Sequence, residues 1–236
     1  MARKLDGPRL GAKAKARQLV VLLHGYGADG NDLIEIGSQW RTLLPDATFV
    51  APHAPEPCGQ ASSGRQWFPL TMRDPDERWQ GVNAAGPDLD AFLDDELAAL
   101  GLDDSALALV GFSQGTMMAL HVGLRRRRPP AAIVGWSGLL VGPEHLGRLA
   151  GRTAPPILMT HGSDDEVIPV DALFMATEQL AAVGIASQWH LSVGVGHGID
   201  GPAMTHAGQF LAHRFRPKSH SRPISSTKGT LFETTL

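Results

Sequence analysis

The chain has 236 residues, of which 43% are hydrophobic and 19% charged, a balance typical of one globular domain with a substantial core. A formal net charge of -3 and a pI near 6.3 give no reason to expect nucleic acid or an anionic membrane as a partner. The single cysteine, Cys58, excludes an intrachain disulfide. Because no apolar run is long enough to span a bilayer and the first residues lack the apolar core of a signal peptide, we expect a cytoplasmic protein.

The first predicted strand is the apolar run Gln18–Leu23, which leads directly into the glycine-containing turn His24–Gly27. Turns at the carboxyl ends of strands are where ligands bind in α/β sheets. Either Asn31 or Asp32 is expected to cap a helix that continues through residues 33–40. This turn is therefore a candidate part of a functional site.

A long stretch without a periodic pattern follows the second predicted strand, residues 46–52. Residues 53–79 hold several prolines and glycines and predict an irregular loop of the kind that is often functional. Its apolar and aromatic side chains suit the wall of a binding cleft, with simple packing against the domain as the alternative. The residues predicted to line that cleft are Trp67, Phe68, Leu70 and Met72.

The most informative stretch is Gly111-Phe112-Ser113-Gln114-Gly115, which lies between an apolar strand, residues 106–110, and a predicted helix, residues 116–124. A serine at such a turn, with a glycine two places to either side, is typical of a nucleophile elbow. The pattern alone is weak, and the strand–turn–helix context makes it specific. The two glycines are expected to let the strand and helix backbones approach closely, so that the turn holds the serine hydroxyl at the edge of the sheet.

Apolar spacing predicts the remaining elements. Helices are expected over residues 88–100, 170–183 and 204–215, and buried strands over residues 131–136, 157–160 and 187–193. Strands that alternate with helices predict an α/β fold, a mainly parallel central sheet with helices on both faces, over residues 1–216. The basic run Arg125–Arg128 is interpreted as a solvated face favoured by the helix dipole rather than as a phosphate site. Residues 217–236 predict a flexible tail.

A serine nucleophile needs a base, and the base needs an orienting carboxylate. Candidates follow Ser113 in the chain order of an α/β-hydrolase, first acid and then histidine. The predicted base is His197, which lies between two glycines after the strand at residues 187–193. The acid stays open among three adjacent residues after the strand at residues 157–160, namely Asp164, Asp165 and Glu166, while Asp200 follows the histidine too closely.

Other residues are weaker candidates for the same roles. His190 lies inside a predicted strand and is expected to be partly buried and structural. His121 is expected to face the sheet or solvent from the middle of its helix. His161 begins the loop that holds the candidate acids, residues 161–169, here called the acid loop, and is expected to pack there or hydrogen-bond its turn. Ser137 lacks the flanking glycine frame and is a poor nucleophile.

An oxyanion hole needs two backbone N–H groups aimed at the oxygen that becomes negative in the transition state. The N–H of Gln114, directly after the serine, is the first predicted donor, and the N–H of Tyr26, in the turn after the first strand, is the second.

Five co-linear motifs carry a family resemblance, and they are residues 23–27, Trp67-Phe68, residues 111–115, residues 161–169 and residues 196–198. Over residues 18–215 the chain resembles the phospholipase/carboxylesterase family, which includes the acyl-protein thioesterases, and it is more similar to the bacterial members. The resemblance implies a triad of Ser113, Asp165 and His197, with no metal or organic cofactor, and it allows a homodimer. Pro69-Leu70 departs from the thioesterase pattern and favours small or medium acyl esters over acylated proteins.

The sequence therefore predicts a serine carboxylesterase that acts on small to medium acyl esters, with thioesters or lysophospholipids as further candidates. The predicted partner is a small-molecule ester, without nucleic acid or stable membrane insertion. Two alternatives stay open: a non-catalytic ligand-binding module on the same fold, and an acyltransferase that uses the same triad.

Overall fold

The computed structural model describes residues 2–11, 16–59, 64–71 and 75–216. Two predictions, Met72 as a cleft residue and the flexible tail over residues 217–236, lie outside the described residues.

The strands are β1 (Arg9–Leu10), β2 (Gln18–Leu23), β3 (Ala47–Val50), β4 (Glu56–Pro57), β5 (Arg65–Gln66), β6 (Leu107–Phe112), β7 (Ala132–Trp136), β8 (Ile157–Gly162) and β9 (Ser187–Ser192). The helices are α1 (Gly30–Trp40), α2 (Pro75–Leu100), α3 (Gln114–Arg125), α4 (Asp171–Ala182) and α5 (Gly201–Arg214). Within the described residues, seven strands form one sheet in the order β1-β3-β2-β6-β7-β8-β9, and β4 pairs with β5 separately. Only β1 runs antiparallel to its neighbour in the large sheet.

Side chains alternate between the two faces of this sheet, and both faces are covered. In β2, Leu19, Val21 and Leu23 join a core that α2, α3 and α4 cover. The intervening Val20 and Leu22 join the opposite core, beneath α1 and α5. Because the strands are buried on both sides, they are apolar runs rather than alternating patterns, as parallel sheets require. The predicted α/β-hydrolase architecture, mainly parallel with helices on both faces, is confirmed.

The start of α1 differs from the prediction. Asp29, rather than Asn31 or Asp32, is the N-cap, and its carboxylate accepts a hydrogen bond from the N–H of Asn31 at 2.7 Å. The carboxylate of Asp32 accepts in turn from the N–H of Asp29 at 2.6 Å, which completes a reciprocal capping box. The helix therefore begins at Gly30, directly behind the turn His24–Gly27.

Helix α2 is twice as long as the sequence suggests, because it begins at Pro75 rather than near Asp88. Pro87 lies inside the helix, although proline has no backbone N–H and therefore usually marks a helix boundary. The first half is held by packing instead: a Cβ at Gly81 would collide with the ring of Phe68, so this glycine lets the helix approach the loop before it. Residues 75–79 are therefore helical rather than part of an irregular loop.

Two polar side chains are more buried than predicted. Arg126 is 8% exposed and binds Asp90 and Asp94 at 2.6 Å each, and also Asp104, so the solvated-face interpretation of the basic run is wrong for this residue. His121 is 6% exposed and faces neither sheet nor solvent, since its ring lies edge-on to Trp79 of α2 at 5.4 Å between centroids. Burial and nearby Arg125 lower the pKa of His121 to about 3, which keeps the ring neutral.

None of the described helices is long and apolar enough to cross a membrane.

Candidate active site

Ser113 occupies a strained turn between β6 and α3. Its backbone angles are φ 53° and ψ -115°, in a region that residues with a side chain rarely adopt. A Cβ at Gly111 would collide with the backbone of Gly115, and a Cβ at Gly115 would collide with the carbonyl group of Leu23. The predicted steric role of the two glycines is confirmed. The N–H of Ser113 donates to the carbonyl of Trp136 at 2.9 Å, which ties the turn to the neighbouring strand β7.

Three side chains from distant parts of the chain meet at this edge of the sheet. The Nε2 atom of His197 lies 3.0 Å from the Oγ of Ser113, and its Nδ1 atom lies 2.8 Å from the Oδ2 of Asp165. A carboxylate only accepts, so the ring donates through Nδ1 and leaves Nε2 free to accept the serine proton. The Asp165 side chain is fully buried and that of His197 is 19% exposed. The acid is therefore buried while the base is accessible, as proton transfer at the surface of a cleft requires.

The carboxylate of Asp165 is held by several donors. Its Oδ1 accepts from the N–H groups of Val167 and Ile168, each at 2.9 Å. Its Oδ2 also lies 3.2 Å from the Nε2 of His161, whose ring nitrogen is 2.8 Å from the carbonyl of Ile168. Burial alone would raise the pKa of Asp165, but the hydrogen bonds from Ile168, His197 and Val167 outweigh it and hold the pKa below its usual value. The acid is therefore ionised at neutral pH.

The other predicted acids lie elsewhere. Asp164 is exposed and accepts from the hydroxyl of Ser163 at 2.5 Å, and Glu166 is exposed as well. Asp200 is the N-cap of α5, where it accepts from the N–H of Ala203 at 2.8 Å. Of the acids that the sequence leaves open, the structure places Asp165 against His197.

The predicted oxyanion donors are the backbone N–H groups of Gln114 and Tyr26. Gln114 is the first residue of α3, directly after the serine. A Cβ at Gly25 would lie 3.3 Å from the Cβ of Ser113, so the residue before Tyr26 packs closely against the serine. The side chain of Gln114 has a separate structural role, since it accepts from the N–H of Trp67 at 2.9 Å and donates to the carbonyl of Phe68 at 2.8 Å.

Trp67 and Phe68 do not line an open cleft as predicted. Their side chains are 0% and 2% exposed and belong to the core that α2 covers. The indole N–H of Trp67 donates to the carbonyl of His24 at 3.0 Å. A buried aromatic with its polar atom satisfied is a packing residue, which is the alternative that the sequence left open. Leu70 is half-buried against the same core.

The structure instead places an apolar groove beside the acid loop, and sequence reasoning missed it. The groove has a volume of about 520 Å³, and its lining includes aliphatic side chains, among them Leu139, Leu140, Val167, Ile168, Met175 and Ala176, beside the charged Arg78, Glu144 and Asp171. Val167 and Met175 are 54% and 55% exposed, so two large apolar side chains of the lining are open to solvent. The sequence feature that could have indicated the groove is Val167-Ile168-Pro169, an apolar stretch directly after the acids. The same stretch is equally typical of residues that precede a helix, here α4.

Two further observations connect the groove with the triad. Val167 and Ile168 are the residues whose N–H groups hold Asp165. Leu139 follows Gly138, where a Cβ would lie 2.9 Å from the carbonyl oxygen of Ser113. Residues that line the groove are thus direct contacts of Asp165, or chain neighbours of a residue that lies against Ser113. Among the described residues, no group of three or more His, Cys, Asp or Glu side chains is placed to hold a metal ion.

A mainly parallel sheet with a strained serine at a strand-to-helix turn, and an imidazole and a carboxylate after later strands, defines the class of α/β-hydrolases. Comparison with known proteins gives the particular family. The chain belongs to the phospholipase/carboxylesterase family, whose model matches residues 10–214, and it is accordingly a serine hydrolase. The resemblance seen in the sequence motifs is confirmed.

Individual relatives agree with this assignment. The chain is similar to esterase YpfH of Escherichia coli, with 31% identity over 214 residues that cover 90% of each protein. It is 24% identical over 216 residues to acyl-protein thioesterase 1 of Gibberella zeae, covering 85% of this chain and 92% of that one. The crystal structure of esterase PE8 matches with a TM-score of 0.84 and 46% identity, covering 89% of this chain and 99% of that chain.

Proposed function

We propose that this protein is a serine carboxylesterase that hydrolyses small to medium acyl esters through an acyl-enzyme on Ser113. The observation that carries the proposal is the continuous hydrogen-bonded chain from Asp165 through His197 to Ser113, with links of 2.8 and 3.0 Å. In that arrangement a hydroxyl that is unreactive by itself has its base already in place.

In the first step, the Oγ of Ser113 attacks the ester carbonyl carbon while its proton passes to the Nε2 of His197. The carbonyl oxygen becomes an oxyanion, which accepts hydrogen bonds from the backbone N–H groups of Gln114 and Tyr26. Asp165 stabilises the imidazolium that forms. His197 then gives the proton to the leaving alcohol, and the serine keeps the acyl group as an ester.

In the second step, water replaces the alcohol. His197 takes a proton from the water as its oxygen attacks the acyl-enzyme, and the second tetrahedral intermediate uses the same two N–H donors. When this intermediate collapses, the bond to the Oγ of Ser113 breaks, and His197 returns the proton to the serine. The products are one carboxylic acid and one alcohol, and the enzyme is regenerated.

The apolar groove supports the choice of acyl esters as substrates. Its volume of about 520 Å³ and the aliphatic part of its lining suit an acyl chain of medium length. The relatives named esterase and acyl-protein thioesterase support both oxygen esters and thioesters as candidates. A panel of p-nitrophenyl esters and matched thioesters, from acetyl to dodecanoyl, tests the proposal: we expect turnover with equal amounts of free acid and leaving group. Absence of turnover on the whole panel would contradict it, and leaving group in excess of free acid would indicate acyl transfer.

We expect Met175→Lys to shift the preference for acyl length. A charge in the groove disfavours the terminal methylenes of a longer chain, each of which is worth about 0.8 kcal/mol when buried. Loss of two such contacts lowers kcat/KM for the octanoyl ester about tenfold relative to the acetyl ester.

The matched control is Phe174→Lys. Phe174 adjoins Met175 on α4 and is 42% exposed, but its ring contacts Trp189 instead of the groove. This variant should keep the profile of the unmodified enzyme. If both variants, or neither, shift the ratio of octanoyl to acetyl activity, the groove is not the acyl site.

A further inference from the structure

His24, which the proposed chemistry does not use, is fully buried at the end of β2. The N–H of Ala54 donates to its Nε2 atom at 2.9 Å. Because Nε2 accepts, the proton of the neutral ring is on Nδ1, and Nδ1 donates to the carbonyl of Gly25 at 2.8 Å. Burial lowers the pKa of His24, so the ring stays neutral, as this pair of hydrogen bonds requires. Both ring nitrogens therefore have assigned partners.

The Gly25 carbonyl belongs to the same peptide unit as the N–H of Tyr26. A peptide unit is planar, and in the trans form its C=O and N–H point in opposite directions. A donor that holds the carbonyl of Gly25 consequently fixes the direction of the Tyr26 N–H. That direction decides whether the N–H reaches the oxyanion, since stabilisation depends on donors aligned before the charge develops.

The backbone on either side of this peptide is held by other groups. The indole N–H of Trp67 donates to the carbonyl of His24 at 3.0 Å. The N–H of Gly27 donates to the carbonyl of Arg65, and the N–H of Arg65 donates to the carbonyl of Ala28, each at 2.9 Å. The Gly25 carbonyl itself also accepts from the N–H of Ala28, at a longer 3.3 Å. The imidazole of His24 thus supplies the shorter of two hydrogen bonds to this carbonyl.

We propose that His24 is a positioning residue, which aims the N–H of Tyr26 at the oxyanion by holding the other end of the same peptide; this rests on the proposed esterase function. Its two hydrogen bonds have separable roles. The bond from Nδ1 orients the oxyanion donor. The bond to Nε2 anchors the loop at Ala54 and contributes to stability alone.

Two variants separate these roles. In His24→Asn the amide nitrogen replaces Nδ1, which keeps the donor to Gly25 and leaves the Ala54 N–H without its acceptor. In His24→Gln the longer amide reaches the position of Nε2, which keeps the acceptor for Ala54 and loses the donor to Gly25. Each variant removes one buried hydrogen bond, so both are expected to lower the thermal midpoint, and they act as stability controls for each other.

The measurement is kcat and KM on a p-nitrophenyl ester, with the affinity for an alkyl trifluoromethyl ketone, which forms a tetrahedral oxyanion on the serine. His24→Gln should lower kcat about tenfold or more and keep KM within about twofold of the unmodified enzyme. Its affinity for the ketone should fall by a factor similar to that for kcat. His24→Asn should keep kcat within about threefold despite its lower stability, because its donor to Gly25 remains.

Equal loss of kcat in the two folded variants, or a larger loss in His24→Asn, would overturn the proposal and leave His24 a structural residue. If His24→Gln does not fold, His24→Asn still decides, since a folded His24→Asn with kcat reduced about tenfold contradicts the role assigned to Nδ1. An inactive unmodified protein would instead contradict the proposed esterase function, before any variant is compared.

Discussion

Ser113→Ala is expected to lower kcat for p-nitrophenyl esters by at least about 10⁴-fold, because the variant has no oxygen to form the acyl-enzyme. The oxyanion donors and the groove stay in place, so KM should change little. The fold should survive, since alanine differs from serine by one atom and the turn is imposed by Gly111 and Gly115 rather than by the hydroxyl. Kinetics with circular dichroism and a thermal midpoint measure both effects.

Ser137→Ala is the matched serine control. Among the serines that the structure describes, Ser137 is the other one with a positive φ, 45°, and it follows β7 in the same sheet. Its hydroxyl donates to the carbonyl of Gly198 at 3.3 Å and does not reach the Nε2 of His197 by any hydrogen bond of the described chain. We expect the loss of this one hydrogen bond in Ser137→Ala to lower kcat about tenfold at most. Ester turnover that survives in Ser113→Ala but is lost in Ser137→Ala would identify Ser137 as the nucleophile and contradict the assignment to Ser113.

Asp165→Asn is expected to lower kcat by about 10⁴-fold. An amide can donate its N–H to the Nδ1 of His197, and this favours the tautomer in which Nε2 carries the proton and can no longer accept from Ser113. The same kinetic assay on folded protein measures the loss.

Asp164→Asn is the matched control, one residue away and exposed. It should keep activity within about threefold, because its carboxylate binds Ser163 rather than the catalytic imidazole. A larger loss at Asp164 than at Asp165 would contradict the assignment of the acid.

The pH dependence of stability offers a second readout for the same pair. The pKa of Asp165 is lower in the folded chain than in the unfolded one, so the carboxylate adds stability above its unfolded value near 4 that is lost as the pH falls through the folded pKa. Asp165→Asn should remove that part of the acid sensitivity, and Asp164→Asn should leave it. Chemical unfolding at several pH values between 2 and 7 measures the difference.

The sequence was most informative where one local physical rule decides the structure. The strands β2, β6, β7 and β8 are apolar runs that only a sheet covered on both faces can bury, and the alternation of strands and helices then implies a parallel sheet. The glycines beside Ser113 follow from the steric demand of its turn. Because all these strands end at one edge, the residues after them could be expected to meet there.

Other features depend on contacts between distant residues and were not readable in advance. Helix α2 passes through Pro87 because its first half packs against Phe68, which overrides the local tendency of a proline to end a helix. The choice among three adjacent acids depends on which carboxylate turns inwards to the N–H groups of Val167 and Ile168. Without the family resemblance, the residues alone left that choice open.

For the aromatic pair Trp67-Phe68 and for the groove, the sequence could not decide which apolar side chains are buried and which are exposed. Trp67 and Phe68 are large apolar residues on an irregular stretch, which suits a cleft and a core equally, and the hydrogen bonds of Gln114 to their backbone place them in the core. Val167 and Met175 are exposed although they are apolar, and only the neighbouring Leu139 and Leu140, from another part of the chain, make a groove of them.

The central claim is that His197 activates Ser113 as a nucleophile, and covalent labelling tests it most directly. The folded protein is treated with a fluorophosphonate, and the modified peptide is identified by mass spectrometry. We predict one adduct, on Ser113, that forms much more slowly in His197→Ala and not at all in Ser113→Ala. A folded protein that stays unlabelled, or that carries the adduct on a different residue, would contradict the account.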